Sequence, residues 1–169
     1  MVLERTALAI KAITRASAYA GAVALLGCVA VTVVDVVKRN FLGSSVFGAV
    51  EYVQLGIMWG AFLTIPLGFA HGDHIAVDVF VARTRDAVKT ALRAFNMLLA
   101  VLVLAACLYW GGEQAMHALT TRDLTLTAGL PMWLFWLPVL YGIGLSALAA
   151  LVVMAQALAA LRPARGARP

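Results

Sequence analysis

Between Glu51 and His71 lie 19 residues without a single Asp, Glu, Lys, Arg or His. Wound as a helix at ~1.5 Å per residue, that run covers about 28 Å, the thickness of the hydrocarbon in a bilayer. The same character recurs over residues 16–34, 94–112 and 130–161, so the chain carries four such runs. A backbone crossing hydrocarbon must satisfy its own N–H and C=O groups, and for segments of this length only a helix does so. The fold class is therefore all-α, an integral membrane protein of four transmembrane helices.

Composition excludes the soluble alternatives. Of the 169 residues, 63% are hydrophobic and 12% charged, about half the charged fraction of a soluble domain. The net charge of +5 is distributed in short clusters beside the apolar runs, so it belongs to membrane flanks, not to a nucleic-acid face. Cys28 and Cys107 fall inside apolar runs, where a thiol acts as a small hydrophobe, and no disulfide framework is implied. The first apolar run is too long for a signal peptide's core and no cleavage-type site follows it, so a cleaved leader is not expected.

Taken in order, residues 1–15 place Leu3, Ala7 and Ile10 on one helical face, the pattern of an interfacial amphipathic segment. The expected spans are about 16–37, 50–70, 94–117 and 130–161, followed by a basic tail over 162–169. Asp35 and Arg39 stand at i,i+4 and can pair at the end of the first span. Gly43, Ser44, Ser45 and Gly48 form a short turn, which makes the first two spans antiparallel neighbours. The second span holds Gly56-x-x-x-Gly60, a spacing that lets another helix approach closely, and Pro66, whose missing N–H frees a carbonyl for a neighbour.

Residues 71–93 read as an amphipathic surface segment in which His74 and Asp78 lie four apart on one side. Gly111-Gly112 is an expected kink in the third span, and residues 120–129 form a polar connection. The final run of 32 uncharged residues exceeds the hydrocarbon, so it must tilt, kink at Pro138 or begin at the surface.

Lys and Arg set the expected orientation. Ten lie in the two tails and the central connection, against three in the other two loops, which predicts both termini in the cytoplasm. Tyr109, Trp110, Trp133, Phe135 and Trp136 then fall at the outer interface as membrane anchors.

These spans offer little for a solute. Their interior polar residues are scattered (Thr32, Gln54, Thr64, Asn96, Ser146, Gln156), and a transporter's own pathway needs polar groups converging near the midplane. No H-E-x-x-H, G-x-S-x-G or phosphate-loop motif points to an enzyme. On the expected topology His71 and His74 lie on one side of the membrane and His117 on the other, so no pair brackets a haem, and no cofactor is expected. Two other classes fit a four-span chain. A membrane anchor of a respiratory oxidoreductase also uses about four helices; a small self-sufficient exporter requires a carboxylate deep inside a span, whereas Asp35 and Glu51 lie near span ends.

The order of features resembles the small membrane subunit of tripartite ATP-independent periplasmic transporters. The likeness runs from Arg39 through Glu51, the uncharged second span and His74-Ile75-x-Val77-Asp78, to Leu130-Pro131-Met132-Trp133. Many relatives place a second acidic residue near the position of Glu51, where this chain has Tyr52 and Val53.

The resemblance implies an accessory subunit in a bacterial inner membrane. Its partners would be a large membrane subunit, which carries an organic acid inward with an ion, usually sodium, and a periplasmic binding protein. The small subunit would act as a stator and help dock the binding protein. Asp35, Arg39, Glu51, Gly56, Gly60, His74 and Asp78 are the interface candidates.

Overall fold

The computed structural model describes residues 2–71 and 86–161, with side chains over 5–70 and 95–156. Four helices account for nearly all of it: α1 (Val2–Leu42), α2 (Ala49–His71), α3 (Asp86–Thr121) and α4 (Trp133–Leu161). Each contains a stretch long and apolar enough to cross a membrane.

The helices outrun the spans because hydropathy and helix termination are separate signals. No proline interrupts residues 2–42 or 86–121, so nothing in either stretch stops the helix at the edge of the hydrocarbon. Residues 2–15 form the first turns of α1, continuous with the span, with Ala7 and Thr14 already buried. Likewise residues 86–93 open α3, although the sequence pattern placed them in a surface segment, and α3 passes through Gly111-Gly112 without interruption. Termination comes where the backbone turns left-handed, at Gly43 (φ 61°) after α1 and at Arg122 (φ 53°) after α3. The expected surface contact pair His74 and Asp78 lies outside the described residues.

Packing order differs from chain order. α1 lies along α2, α2 along α4 and α4 along α3, while α1 touches α4 only lightly and α2 has little direct packing on α3. α4 is accordingly the most enclosed span. Its buried residues Val139, Leu145, Ser146, Ala149, Ala150 and Val153 form the stripe between α2 and α3. Met97 of α3 joins Ala150 and Val153 in a small core that Phe69 reaches from the end of α2.

Small residues set the closest approaches. Gly56 and Gly60 turn toward α1, where a Cβ on Gly56 would overlap Cys28 Sγ and one on Gly60 would overlap Leu25. The close approach that their spacing predicted is thus made to α1 of the same chain, and Cys28 Sγ donates to the Val53 carbonyl across it at 3.4 Å. A second hydrogen bond, 2.7 Å between Ser17 Oγ and the Tyr141 hydroxyl, ties α1 to α4.

Pro66 and Pro138 sit inside α2 and α4 and are fully buried. Pro66 leaves the Phe62 carbonyl without its N–H partner four residues on. Gly142 of α4 packs against that carbonyl so tightly that a side chain there would overlap its oxygen.

Candidate functional site

The ionisable side chains that the structure gathers lie at one end of the bundle, where the 43–48 and 122–132 connections meet. Each connection is fastened by one carboxylate. Asp35, 8% exposed, accepts from the Arg39 guanidinium at 2.8 Å through Oδ2 and from the Val46 N–H at 2.7 Å through Oδ1. The i,i+4 pair expected from sequence is present, and the same carboxylate also holds the following turn. Arg39 itself stays largely exposed.

Glu51, in the first turn of α2 and 9% exposed, reaches across to the other connection. Its oxygens accept from the Thr125 hydroxyl at 2.6 Å, the Thr127 N–H at 2.7 Å and the Ala128 N–H at 2.5 Å. Thr125 Oγ1 in turn accepts the Leu130 N–H at 2.9 Å. Backbone bonds from Thr125 to Leu130 and from Met132 to Asp123 close a small hairpin, with a single bridge between Leu124 and Pro131. Leu130-Pro131-Met132 therefore belongs to this hairpin, and the last helix begins at Trp133.

Gly48 brings the two connections into contact. Its φ of 70° is one that other residues rarely adopt, and a Cβ there would stand 2.5 Å from Ala128 Cβ. Leu126, at the turn of the hairpin, is fully exposed.

Sequence reasoning placed Glu51 with Asp35 and Arg39, and the three do share one end of the molecule, bordering a common cavity of about 220 Å³. Their partners, however, differ. Glu51 takes loop amides and a hydroxyl from the 122–132 connection. The missed residues are Thr125, Thr127 and Ala128. One signal for them exists: no Lys or Arg stands three or four positions from Glu51, so its partner had to come from elsewhere, and the hydroxyl-rich 125–127 stretch is a candidate.

Gly111 packs beside Trp136 and Leu140, which puts Tyr109, Trp110 and Trp136 near one level, with Trp133 one turn closer to the hairpin. Tyr109 and Trp110 are largely exposed. His71 closes α2 and His117 lies near the end of α3, at opposite ends of the bundle. Among the described residues no three His, Cys, Asp or Glu side chains come together as a metal site.

These features define a multi-pass membrane protein whose charged groups stand at the ends of its spans and whose two connections at one end are braced by buried carboxylates. The family model "Tripartite ATP-independent periplasmic transporters, DctQ component" matches residues 28–160, and the chain belongs to that family. It is thus a component of a three-part transporter, a class distinct from the anchor of a respiratory oxidoreductase. No curated protein and no solved structure matches the chain.

Proposed function

We propose that this chain is the accessory small subunit of its transporter, a stator that packs against the large membrane subunit and carries no solute itself. The supporting observation is the placement of charge. Among the described residues, Asp, Glu, Lys, Arg and His are missing from residues 16–34, 52–70, 94–112 and 130–156, so no span offers an ion or an anionic solute a partner at mid-depth. In this reading both termini are cytoplasmic, in a bacterial inner membrane. The braced hairpin and the Asp35–Arg39 turn face the periplasm, where they meet the binding protein, and Tyr109, Trp110, Trp133 and Trp136 set the depth of the bundle. The transported solute is an organic acid moved with an ion, selected by the other subunits, and this chain has no enzymatic activity.

Deleting the subunit is expected to abolish uptake in cells that still make the large subunit and the binding protein. Solute uptake retained at the intact level would remove the stator role.

His74 and Asp78 are proposed to anchor the turn after α2 to the large subunit. Replacing both with alanine is expected to reduce recovery of the large subunit on co-purification while membrane insertion stays unchanged. Equal losses in the two measurements would argue for a local pair within this chain, which is worth only ~0.2–0.5 kcal/mol.

A further inference from the structure

Contacts between the helices fix which residues stand at one height in the bundle. Gly111 of α3 packs on Trp136 and Leu140, so it is level with Pro138 of α4. Gly142, four residues on, meets Phe62, and because α2 and α4 run the same way Pro138 is level with Met58. Met58 stands between Gly56 and Gly60, which meet Cys28 and Leu25, so the same layer crosses α1 near Leu25.

Counted from this layer, charge does not begin at one height on every helix. Toward the hairpin end, the first Asp, Glu, Lys, Arg or His comes after 10 residues on α1 (Asp35), 7 on α2 (Glu51) and 2 on α3 (Glu113). Toward the opposite end it comes after 10 on α1 (Arg15), 13 on α2 (His71) and 18 on α3 (Arg93). Each interval spans 20 residues, about 30 Å, which is one hydrocarbon thickness. α4, uncharged from 130 to 161, sets no limit of its own.

The intervals are thus equal in length but displaced, by 8 residues or about 12 Å between α1 and α3. α2 is intermediate, as its place in the packing order requires. A longer helix would overshoot at both ends, whereas a shift in the same sense at both ends describes a slanted slab. The exposed side chains agree: beyond the height of Glu113, α1 still presents Val29, Val33 and Val34, while α3 presents Gln114 and His117.

We propose that the bundle sits obliquely in the bilayer, so that lipid reaches about 12 Å nearer the hairpin end along α1 than along α3. Packed helix axes stand 8–10 Å apart, which puts α1 and α3 about 20–27 Å apart across α2 and α4 and makes the lean roughly 25°. Membrane helices commonly tilt by this much. An upright bundle must either bury Glu113 and His117 in hydrocarbon or bring the valines of α1 into water, and the lean avoids both costs. It lowers the turn after α1 to the lipid surface and lifts the last turns of α3 clear of it, carrying the hairpin with them.

The test uses the intact transporter in its membrane and a membrane-impermeant maleimide supplied to both faces, read on the band of this subunit. Val33→Cys, Gln114→Cys, Ile13→Cys and Phe95→Cys, all at exposed positions, are made one at a time in a chain carrying Cys28→Ala and Cys107→Ala. Each is compared with its own labelling in denaturing detergent. Gln114→Cys is expected to react roughly tenfold faster than Val33→Cys, although Val33 stands about 7 Å nearer the hairpin end, because a thiol in hydrocarbon does not ionise. At the opposite end Ile13→Cys should outpace Phe95→Cys, although Phe95 stands about 6 Å nearer that end. Shielding of one helix by another subunit would slow that helix at both ends, whereas the lean slows α1 at one end and α3 at the other. Val33→Cys reacting as fast as Gln114→Cys, or Phe95→Cys as fast as Ile13→Cys, would overturn the oblique placement.

Discussion

Glu51→Ala is expected to unfasten the 122–132 hairpin without disturbing the four spans. Three bonds end on that carboxylate, and two of their donors are backbone N–H groups of the hairpin. Thr125 links the carboxylate to the Leu130 N–H, so its loss also slackens the closing pair of the hairpin. Hydrogen exchange at Thr127 and Ala128 should accelerate strongly, while amides in the middle of α2 and α4 keep their protection. The thermal midpoint of the purified protein should fall by something on the order of 5 °C.

Glu51→Gln keeps one carbonyl oxygen but presents N–H groups to a donor, so its loss should be intermediate. Unaltered exchange at Thr127 and Ala128 in the alanine variant would show that the hairpin holds itself. The result bears on function because Leu126 is carried at the turn of this hairpin, fully exposed. If the hairpin meets the binding protein, its position depends on a residue that need not touch that partner.

The contrast between what the sequence reveals and what it conceals follows from the range of the interactions. Charge-free runs locate the spans because exclusion of charge from hydrocarbon acts residue by residue. The Asp35–Arg39 pair is legible for the same reason, being one helical turn long.

Helix ends are less legible. α1 stops at a left-handed glycine, which composition hints at, but α3 stops at Arg122, a residue with no such preference. The Glu51 site joins positions 74 to 77 residues apart, and no local pattern specifies that meeting. Gly56 and Gly60 announce a close approach without saying to which helix; the answer, α1, depends on how the whole bundle stacks.

Gly142→Ala is expected to be strongly damaging for a single-methyl change, and its control lies two residues away. In an ordinary helix interior, Gly→Ala stabilises by up to about 1 kcal/mol, because it restricts the unfolded chain. At Gly144 nothing lies within 4 Å of the added Cβ, so alanine there should be neutral or mildly stabilising. At Gly142 the added Cβ would overlap the Phe62 carbonyl, a backbone group that no rotamer change can move aside. The two helices must separate, and α2 is fixed on its other face by the Gly56 and Gly60 contacts with α1.

Overpacking of this kind costs about 1–3 kcal/mol and should outweigh the propensity gain, for a net loss of roughly 1 kcal/mol. Unfolding of both variants in a mixed detergent series measures the difference directly. Equal behaviour of Gly142→Ala and Gly144→Ala would mean that α2 and α4 are not held at this distance.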